Sequence, residues 1–339
     1  MTAIWGKISS KEIVAAVKGH LVSGDPQACF SGFNSDSRTV QRGELFWALK
    51  GDRFDGHDFV SRAVMQGASG MVVQKGFPVS LKNVPPIAVI AVDDTLRALG
   101  DLAAWWRRQH VAKVVAITGS SGKTTAKEMT AAILQVGHKT LKNPGNHNNL
   151  IGLPVTLLKL EKTHQRAVLE MGMNHKGEIA RLTEIADPDV GVILNVGMAH
   201  LEGLGDIDGV AEAKTELMDK LSPRAKMVLN GDDDVLMKHA ARFDSGGTAR
   251  HAFTTFGLKE GNKIRGLNIK SCGAEGMRFD LIYDGNSQPI TLGVSGVHNV
   301  KNALAAAAVG LSLDEPMAHI VKGLGSFSGI NGRIPLHPW

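Results

Sequence analysis

The order of hydrophobic and polar residues predicts strands and helices that alternate along most of the chain. Short β-branched runs end at turns, and apolar residues at helical spacing follow them. This alternation is typical of α/β proteins, whereas residues 248–291 predict only short strands joined by turns. Strands are predicted at residues 43–49, 70–73, 87–92, 114–118, 166–170, 189–196 and 225–230, and helices at residues 10–17, 59–67, 95–108, 126–134, 210–218 and from 296 onward.

The length of 339 residues favours more than one independently folded domain. We expect an N-terminal α/β domain at residues 1–110 and a second α/β domain at residues 111–333. Residues 334–339 are expected to be the remnant of the segment through which the chain leaves the second domain. The helix at residues 95–108 is expected to join the two domains.

A glycine turn between a predicted strand and a predicted helix carries the clearest chemical signal. Glycines let backbone N–H groups face a polyphosphate, and the helix N-terminus adds partial positive charge. Lys123 is expected to reach the β- and γ-phosphates, and the Thr124 hydroxyl to bind Mg²⁺. Only Ser120 and Ser121 separate Gly119 from Gly122, whereas the general phosphate-loop pattern has four residues between its two glycines. The turn consists of Gly119, Ser120, Ser121, Gly122, Lys123, Thr124 and Thr125.

Polar residues also follow the neighbouring predicted strands. Ligands gather at the carboxyl ends of strands in open α/β sheets, so Glu170 is either a metal ligand or an exposed strand-end carboxylate. The amide-rich loop at residues 143–149, which includes Asn149, either lines the γ-phosphate end of a nucleotide or forms only a turn. His200 is either structural or catalytic.

Four further sites carry polar or charged side chains. Lys214 is expected to be a surface lysine that pairs with a neighbouring glutamate. Asn299 and Asn302 share one helical face, where two amides can contact a base or cap neighbouring backbone. The acidic run at residues 232–234 caps a helix, binds ribose or is solvated, and capping is favoured. The turn at residues 35–38 is either a solvated loop or a cluster for an anion.

Composition narrows the class of protein. The net charge of +5 comes from scattered residues, which does not indicate a nucleic-acid partner. Two distant cysteines indicate neither a disulfide framework nor a zinc site. Residues 1–14 contain no apolar region of a signal peptide, and the apolar run at residues 303–311 is too short to span a membrane. We expect a cytoplasmic monomer without membrane insertion.

Six segments, taken in order, resemble the motifs of the Mur ligase family, the ATP-dependent amide ligases of peptidoglycan synthesis. The resemblance extends from Ser10 to Arg333, and the family shares the short glycine spacing of this chain. It implies an N-terminal α/β domain that binds a UDP-sugar peptide and a central P-loop-type ATPase domain with a mostly parallel sheet. The matching segments are residues 118–125, 145–149, 170–174, 199–202, 214–216 and 296–304.

Within the family, residues 34–38 and 46–58 most resemble the step that joins D-alanyl-D-alanine to UDP-N-acetylmuramoyl-tripeptide. The resemblance implies that the peptide carboxylate attacks the γ-phosphate of ATP, which gives an acyl phosphate and ADP. The amine of D-alanyl-D-alanine then attacks the acyl carbon, and phosphate leaves. ATP and Mg²⁺ are the implied cofactors.

The resemblance also implies the roles of individual residues. Glu170 would bind Mg²⁺ near the γ-phosphate, and His200 would bind a second Mg²⁺ together with Lys214 as a carbamate. The implied catalytic residues are Lys123, His200 and Lys214. The implied ATP site contains Gly119, Ser120, Ser121, Gly122, Lys123, Thr124, Thr125, Asn149, Asn299, Asn302 and Arg333. The implied UDP-substrate site contains Ser35, Asp36, Ser37, Arg38, Lys50, Gly51 and Asp52.

The family has a third, Rossmann-like domain that carries the binding surface for the incoming amine. Residues 334–339 do not resemble its opening strand, so we expect this domain to be absent and turnover by this chain to be incomplete. The alternatives are a non-catalytic module that binds UDP-muropeptide and ATP, the diamino-acid-adding ligase, a folate polyglutamylating ligase, and an unrelated phosphate-loop kinase or NTPase. The short glycine spacing disfavours the last of these.

Overall fold

A computed structural model describes residues 2–51, 54–78, 87–198, 204–243 and 253–329. The chain divides into two compact units. The first comprises Met1–His110 and Leu150–Glu161, and the second comprises Val111–Asn149 and the described residues from Lys162 onward. The sequence analysis counted residues 150–161 with the second domain, but the structure places them in the first. Their apolar side chains are buried there, and the Leu160 carbonyl accepts a hydrogen bond from Trp106 Nε1 at 3.1 Å.

Both units contain helices and strands, which alternate along most of the chain but not through β2–β4 or β12–β15. The strands are β1 (Thr2–Ser9), β2 (His20–Ser23), β3 (Cys29–Asn34), β4 (Glu44–Trp47), β5 (Gly70–Gln74), β6 (Ala88–Val92), β7 (Lys113–Thr118), β8 (Thr140–Lys142), β9 (Arg166–Glu170), β10 (Val190–Ile193), β11 (Lys226–Asn230), β12 (Phe253–Gly257), β13 (Ile264–Ser271), β14 (Met277–Tyr283) and β15 (Asn286–Leu292). The helices are α1 (Ser10–Val17), α2 (Val60–Gln66), α3 (Thr95–Arg108), α4 (Lys123–Leu134), α5 (Gly152–Leu157), α6 (Glu178–Ala186), α7 (Ile207–Lys220), α8 (Asp234–Ala240), α9 (Val297–Ser312) and α10 (Met317–Gly325).

The first unit is built on a six-stranded sheet in the order β1-β3-β4-β5-β6-β2. Strands β3 to β6 are parallel, whereas β1 and β2 pair antiparallel at the two edges. The sequence analysis did not predict β1, β2 or β3. These strands carry serines and glycines between their apolar residues, so they are defined by pairing with their neighbours more than by a local pattern.

The second unit is built on a nine-stranded sheet in the order β15-β14-β13-β12-β11-β10-β7-β9-β8. The strands from β8 across to β13 are parallel, and β13, β14 and β15 form an antiparallel meander. The predicted mostly parallel sheet is therefore confirmed. In parallel sheets the carboxyl ends of the strands share one edge, so β7, β9 and β10 present their following loops together.

Helix α4 is held against α9 and α10 by close helix–helix contact. Gly323 on α10 permits this contact, because a Cβ atom there would lie 2.4 Å from the Cα atom of Ile133 on α4. Gly310 on α9 approaches Ile320 and Ile133 in the same region. The placement of α4, and of the loop that precedes it, thus depends on small residues behind it. Within the described residues, no helix has both the length and the apolarity needed to cross a membrane.

The close approach of α10 to α4 leads to a stability prediction. Gly323→Ala should destabilise the second unit by about 1–3 kcal/mol, because the added methyl group meets backbone that cannot rotate away. Gly325→Ala, on the same helix, is the matched control, since its nearest contact would be 3.8 Å away. Urea unfolding followed by circular dichroism should show a lower midpoint for Gly323→Ala only. Equal midpoints for the two variants would contradict the packing described here.

Candidate functional site

The loop between β7 and α4 is shaped by Gly122. This residue precedes α4 with a φ of +78°, a conformation that favours glycine. A Cβ atom at Gly122 would lie 2.5 Å from Asn302 Oδ1 on α9, so a side chain would also displace that amide. No described side chain caps the first turn of α4. Its backbone N–H groups are therefore placed to bind an anion at the helix N-terminus.

The two serines of this loop are bonded to the segment that follows β10. Ser120 Oγ donates to the Gly197 carbonyl at 3.0 Å and accepts from the Gly197 amide at 2.8 Å. The Asn195 amide accepts from Ser121 N at 2.9 Å and donates to Ser121 O at 3.1 Å. The polar groups of Ser120 and Ser121 thus hold the loop in place against the segment that follows β10. Asn195 is a positioning residue that the sequence analysis did not include among the site residues.

Lys123 begins α4 and lies within the same cavity. Its ammonium donates to the Gly119 carbonyl at 2.8 Å. Burial lowers the pKa of Lys123, and the nearby Glu170 carboxylate partly opposes this effect. The cavity has a volume of about 460 Å³. It is lined by Ser120, Ser121, Gly122, Lys123, Thr124, Thr125, Asn146, Asn148, Asn149, Glu170, Gly172, Met173, Asn174 and Glu178.

Glu170 lies at the end of β9 and is only 3% exposed, so the interpretation as an exposed carboxylate is wrong. One carboxylate oxygen, Oε1, accepts from Asn148 Nδ2 at 2.8 Å. The other, Oε2, is buried and has no hydrogen-bond partner among the described residues. A buried carboxylate oxygen without a partner requires a physical reason, and a bound cation is one. The amide that contacts Glu170 belongs to Asn148, and Asn149 lines the same cavity.

Lys214 lies on α7 and is 1% exposed, so the prediction of a surface lysine is wrong. It shares the inward face of α7 with Val210 and Leu217, which are also buried. Burial and the positive charge of Lys123 lower the pKa of Lys214 to about 7. Its ammonium has no hydrogen-bond or ion-pair partner within the described ranges. Lys214 is therefore a buried amine whose protonated form is disfavoured by burial and by Lys123, and no carboxylate in the described part of the chain offsets these effects.

The glutamates beside Lys214 bind other groups. Glu216 accepts from the Gly177 amide at 2.6 Å and from the Ala180 amide at 3.0 Å, so it caps the N-terminus of α6. Glu212 pairs with Lys176 at 2.7 Å. These bonds connect α7 to the loop that follows Glu170 and lines the cavity. Glu216 belongs to the matching segment at residues 214–216, and no function was predicted for it.

The two asparagines of α9 adjoin the phosphate-loop glycine. Asn299 Nδ2 donates to the Ser295 carbonyl at 2.7 Å, which is the backbone-capping alternative. Asn302 is 7% exposed and lies against Gly122, and its Nδ2 is 3.4 Å from Asn299 Oδ1. Asn302 therefore lies beside the start of α4, Asn299 adjoins it, and base recognition by them remains a prediction.

The acidic run after β11 caps a helix, as favoured by the sequence analysis. Asp233 accepts from the Leu236 amide at 2.9 Å at the start of α8. Its second oxygen accepts from the Val196 amide at 2.7 Å, which fixes the segment that follows β10. Asp232 accepts from the amides of Leu258 and Lys259. These carboxylates connect the loops at the carboxyl edge of the sheet.

In the first unit, the polar turn at residues 35–38 is internally neutralised. Asp36 accepts from Arg38 Nε at 2.9 Å and from Arg38 Nη2 at 2.7 Å, and these bonds hold the pKa of Asp36 well below its usual range. Ser37 is buried, whereas Arg38 is exposed. An anion bound here would have to compete with Asp36 for the guanidinium of Arg38.

The remaining predicted residues divide into two groups. In the described loop, Lys50 approaches Asp55 at 4.0 Å and the Gly51 amide donates to the Phe54 carbonyl at 3.0 Å. Asp52, His200, Arg333 and residues 334–339 lie outside the described residues, and the roles assigned to them stay predictions.

Comparisons with known proteins agree with this architecture. A family model for the Mur ligase middle domain matches residues 117–310, and one for the Mur ligase family, catalytic domain, matches residues 30–107. The chain is 36% identical over 327 residues to UDP-N-acetylmuramoyl-tripeptide–D-alanyl-D-alanine ligase of Escherichia coli strain K12. That alignment covers 96% of this chain and 70% of the relative.

Two solved structures are similar across most of the chain. MurF from Acinetobacter baumannii superposes with a TM-score of 0.89 at 36% identity, covering 98% of this chain and 70% of that one. MurF ligase from Thermotoga maritima, solved in complex with ADP, superposes with a TM-score of 0.78 at 32% identity. It covers 89% of this chain and 67% of that one. From these matches and from the site geometry, the chain belongs to the Mur ligase family.

Proposed function

We propose that this chain is an ATP-dependent ligase that joins D-alanyl-D-alanine to UDP-N-acetylmuramoyl-tripeptide in peptidoglycan precursor synthesis. The similarity to the E. coli ligase over 96% of the chain supports the choice of substrates. The site observation that carries the proposal is the pairing of two features in one cavity. These are the uncapped start of α4 with Lys123 and the buried carboxylate of Glu170, which has an unpaired oxygen.

Nucleotide binding follows from the start of α4. The backbone N–H groups of its first turn and the Lys123 ammonium together offer positive potential to the β- and γ-phosphates of ATP. Thr124 and Thr125 line the same cavity. Asn302 lies against Gly122, and the family resemblance assigns adenine binding to Asn299 and Asn302. The ADP complex of the T. maritima relative supports this assignment.

The residues present fit Mg²⁺, because Glu170 Oε2 is a buried anionic oxygen without a partner. Thr124 and Glu170 would hold the ion, and bound Mg²⁺ would neutralise charge that develops on the transferred phosphoryl group. Lys214, with His200, would complete a second metal site as a carbamate. Its burial without a counter-ion fits this change, because a carbamate exchanges repulsion from Lys123 for attraction.

The chain itself supplies mainly positioning and charge stabilisation. Phosphoryl transfer needs the attacking and leaving oxygens in line, with little covalent participation by the protein. Lys123 is held by the Gly119 carbonyl beside the phosphates. The peptide carboxylate attacks the γ-phosphorus, ADP leaves, and an acyl phosphate results. The amine then attacks the acyl carbon, inorganic phosphate leaves, and the amine nitrogen loses a proton as the amide bond forms.

The first unit would bind the UDP-sugar peptide through Ser35, Asp36, Ser37 and Arg38 and through the loop that contains Lys50, Gly51 and Asp52. The proposal places the protein in the cytoplasm, where ATP is available and thiols stay reduced. Cys29 and Cys272 are both free, which is consistent with this location. The partners are small molecules, namely ATP, UDP-N-acetylmuramoyl-tripeptide and D-alanyl-D-alanine.

The first test of this proposal removes the phosphate-loop cation. Lys123→Ala should slow ADP release about 100-fold or more, because a charged group aimed at the transition state is lost. Binding of UDP-N-acetylmuramoyl-tripeptide, measured by calorimetry, should stay within about twofold of wild type. The assay contains Mg-ATP, the UDP-tripeptide and D-alanyl-D-alanine, and mass spectrometry detects the pentapeptide product.

Lys113→Ala is the matched control for that test, because Lys113 lies at the opposite end of β7 and pairs with Asp189 at 2.8 Å. This variant should retain the wild-type rate. The ligase proposal is wrong if the wild-type chain neither releases ADP nor binds the UDP-tripeptide. The phosphate-loop assignment is wrong if Lys123→Ala releases ADP at the wild-type rate.

The second test addresses the carbamate. Lys214→Ala should lower the rate of ADP release roughly 10- to 100-fold, as expected for loss of a group that binds or orients a metal. A short carboxylate such as acetate should restore part of the rate, because it replaces the missing anion in the vacated space. In ¹³C-bicarbonate, wild-type protein should show a carbamate resonance that is lost in Lys214→Ala.

Lys220→Ala is the matched control for the second test, since Lys220 lies on the same helix, is exposed and pairs with Glu184 at 2.9 Å. It should keep both the rate and the resonance. A carbamate resonance that persists in Lys214→Ala, or full activity of that variant, would contradict the assignment.

A further inference from the structure

A second lysine on α4 is completely buried and has no function in the site described above. Lys127 lies one helical turn after Lys123 and is 0% exposed. Its ammonium donates to the Asn143 carbonyl at 2.7 Å and pairs with Glu128 Oε1 at 3.2 Å. Burial of a charged group is costly unless it is paired and hydrogen-bonded, so a buried lysine implies a specific contact that the fold requires.

The partner of Lys127 holds the backbone of Glu170. Asn143 is also 0% exposed. Its Oδ1 accepts from the Glu170 amide at 2.9 Å, and its Nδ2 donates to the Glu170 carbonyl at 3.0 Å and to the His147 carbonyl at 2.8 Å. Both donor hydrogens of this side-chain amide are therefore used, and its oxygen is bonded as well. One side chain fixes the end of β9 and the amide-rich loop together.

The amide-rich loop in turn holds the carboxylate of Glu170. Asn148 Nδ2 donates to Glu170 Oε1 at 2.8 Å, and the Asn148 carbonyl accepts from the Gly172 amide at 2.8 Å. A Cβ atom at Gly172 would lie 2.9 Å from the Asn148 side chain, so the two segments are in direct contact. Displacement of Asn143 would therefore disturb the backbone of Glu170 and also its side chain.

We infer that Lys127 and Asn143 are positioning residues that hold Glu170 and the loop at residues 143–149 in a fixed place relative to the phosphate loop. Helix α4 begins directly after the phosphate loop. The bond from Lys127 to Asn143 therefore connects the phosphate-binding end of α4 to Glu170. The charged donor gives a stronger bond than a neutral one, and its long stem spans from the helix to the loop. The inference rests on the proposed function only in treating Glu170 as a metal ligand.

The test compares two Lys→Met substitutions that each remove one ion pair with Glu128. Lys127→Met removes the bond to Asn143. Lys142→Met removes the other lysine that pairs with Glu128 and leaves Lys127 and Asn143 unchanged. Methionine keeps a similar length and removes the charge, so Lys127→Met should still fold, which circular dichroism checks. Asn143→Ser removes the same connection from its other end and serves as a second variant.

The first readout is metal binding by the chain of 339 residues. Mn²⁺ replaces Mg²⁺ and is followed by electron paramagnetic resonance, with β,γ-methylene-ATP as the nucleotide. Lys127→Met should raise the Kd for Mn²⁺ about 10-fold or more, as expected for loss of a residue that orients a metal ligand. The Kd for the nucleotide without metal should stay within about twofold of wild type, and Lys142→Met should match wild type in both measurements.

The second readout does not depend on metal or nucleotide. Hydrogen–deuterium exchange of the ligand-free chain should be faster at residues 143–149 and at Glu170 in Lys127→Met, and unchanged there in Lys142→Met. Wild-type exchange and wild-type Mn²⁺ affinity in Lys127→Met or Asn143→Ser would overturn the inference. A loss of metal-free nucleotide binding as large as the loss of Mn²⁺ binding would also overturn it, because that pattern indicates general disruption.

Glu170→Gln separates this inference from the proposed function. If Glu170→Gln binds Mn²⁺ like wild type, then the metal role in the proposed function fails, and the exchange measurement alone decides whether Lys127 and Asn143 hold Glu170. If Glu170→Gln weakens Mn²⁺ binding and Lys127→Met does not, the inference fails and the proposed function stands.

Discussion

An imbalance of buried charge governs the candidate site. Lys123 and Lys214 are close enough for the charge of Lys123 to lower the pKa of Lys214, and the carboxylate that acts on Lys123 is that of Glu170. The uncapped N-terminus of α4 adds partial positive charge to this group. Removal of charges from water is unfavourable, so such an arrangement persists only when the surrounding structure fixes it. Its excess positive potential suits a polyanion such as the triphosphate of ATP.

The rest of the second unit places these charges. The parallel order of β7, β9 and β10 brings the phosphate loop, Glu170 and the segment at residues 195–197 to one edge of the sheet. Small residues let α4 approach α9 and α10, and the asparagines and serines of the loops bond the segments to one another. Hydrophobic packing thus sets the position of α4, and hydrogen bonds set the positions of the loops at the same edge of the sheet.

The sequence predicted those features that depend on neighbouring residues. Helix α3 has the predicted bounds, the strand–turn–helix unit around Gly122 is present, and Asp233 caps α8 as favoured. The burial of charged residues was harder to predict. Lys214 lies at helical spacing from Val210 and Leu217, on the apolar face of α7, but its charge favoured the interpretation as a surface residue. The function of Lys127 was not predicted because its partner, Asn143, lies 16 residues away in a loop.

Hydrogen-bond saturation distinguishes residues that hold this site from residues that are placed to react. Asn143, Asn195 and Ser120 use their side-chain polar atoms within the protein, and such groups have little capacity left for a ligand. Glu170 Oε2 is buried and lacks a partner within the described residues. Buried polar groups are normally paired, so unpaired groups that lie among saturated ones are retained for a reason other than stability. Asn143, Asn195 and Ser120 thus hold the loops, whereas Glu170 Oε2 is left as the unpaired carboxylate oxygen that a bound metal would neutralise.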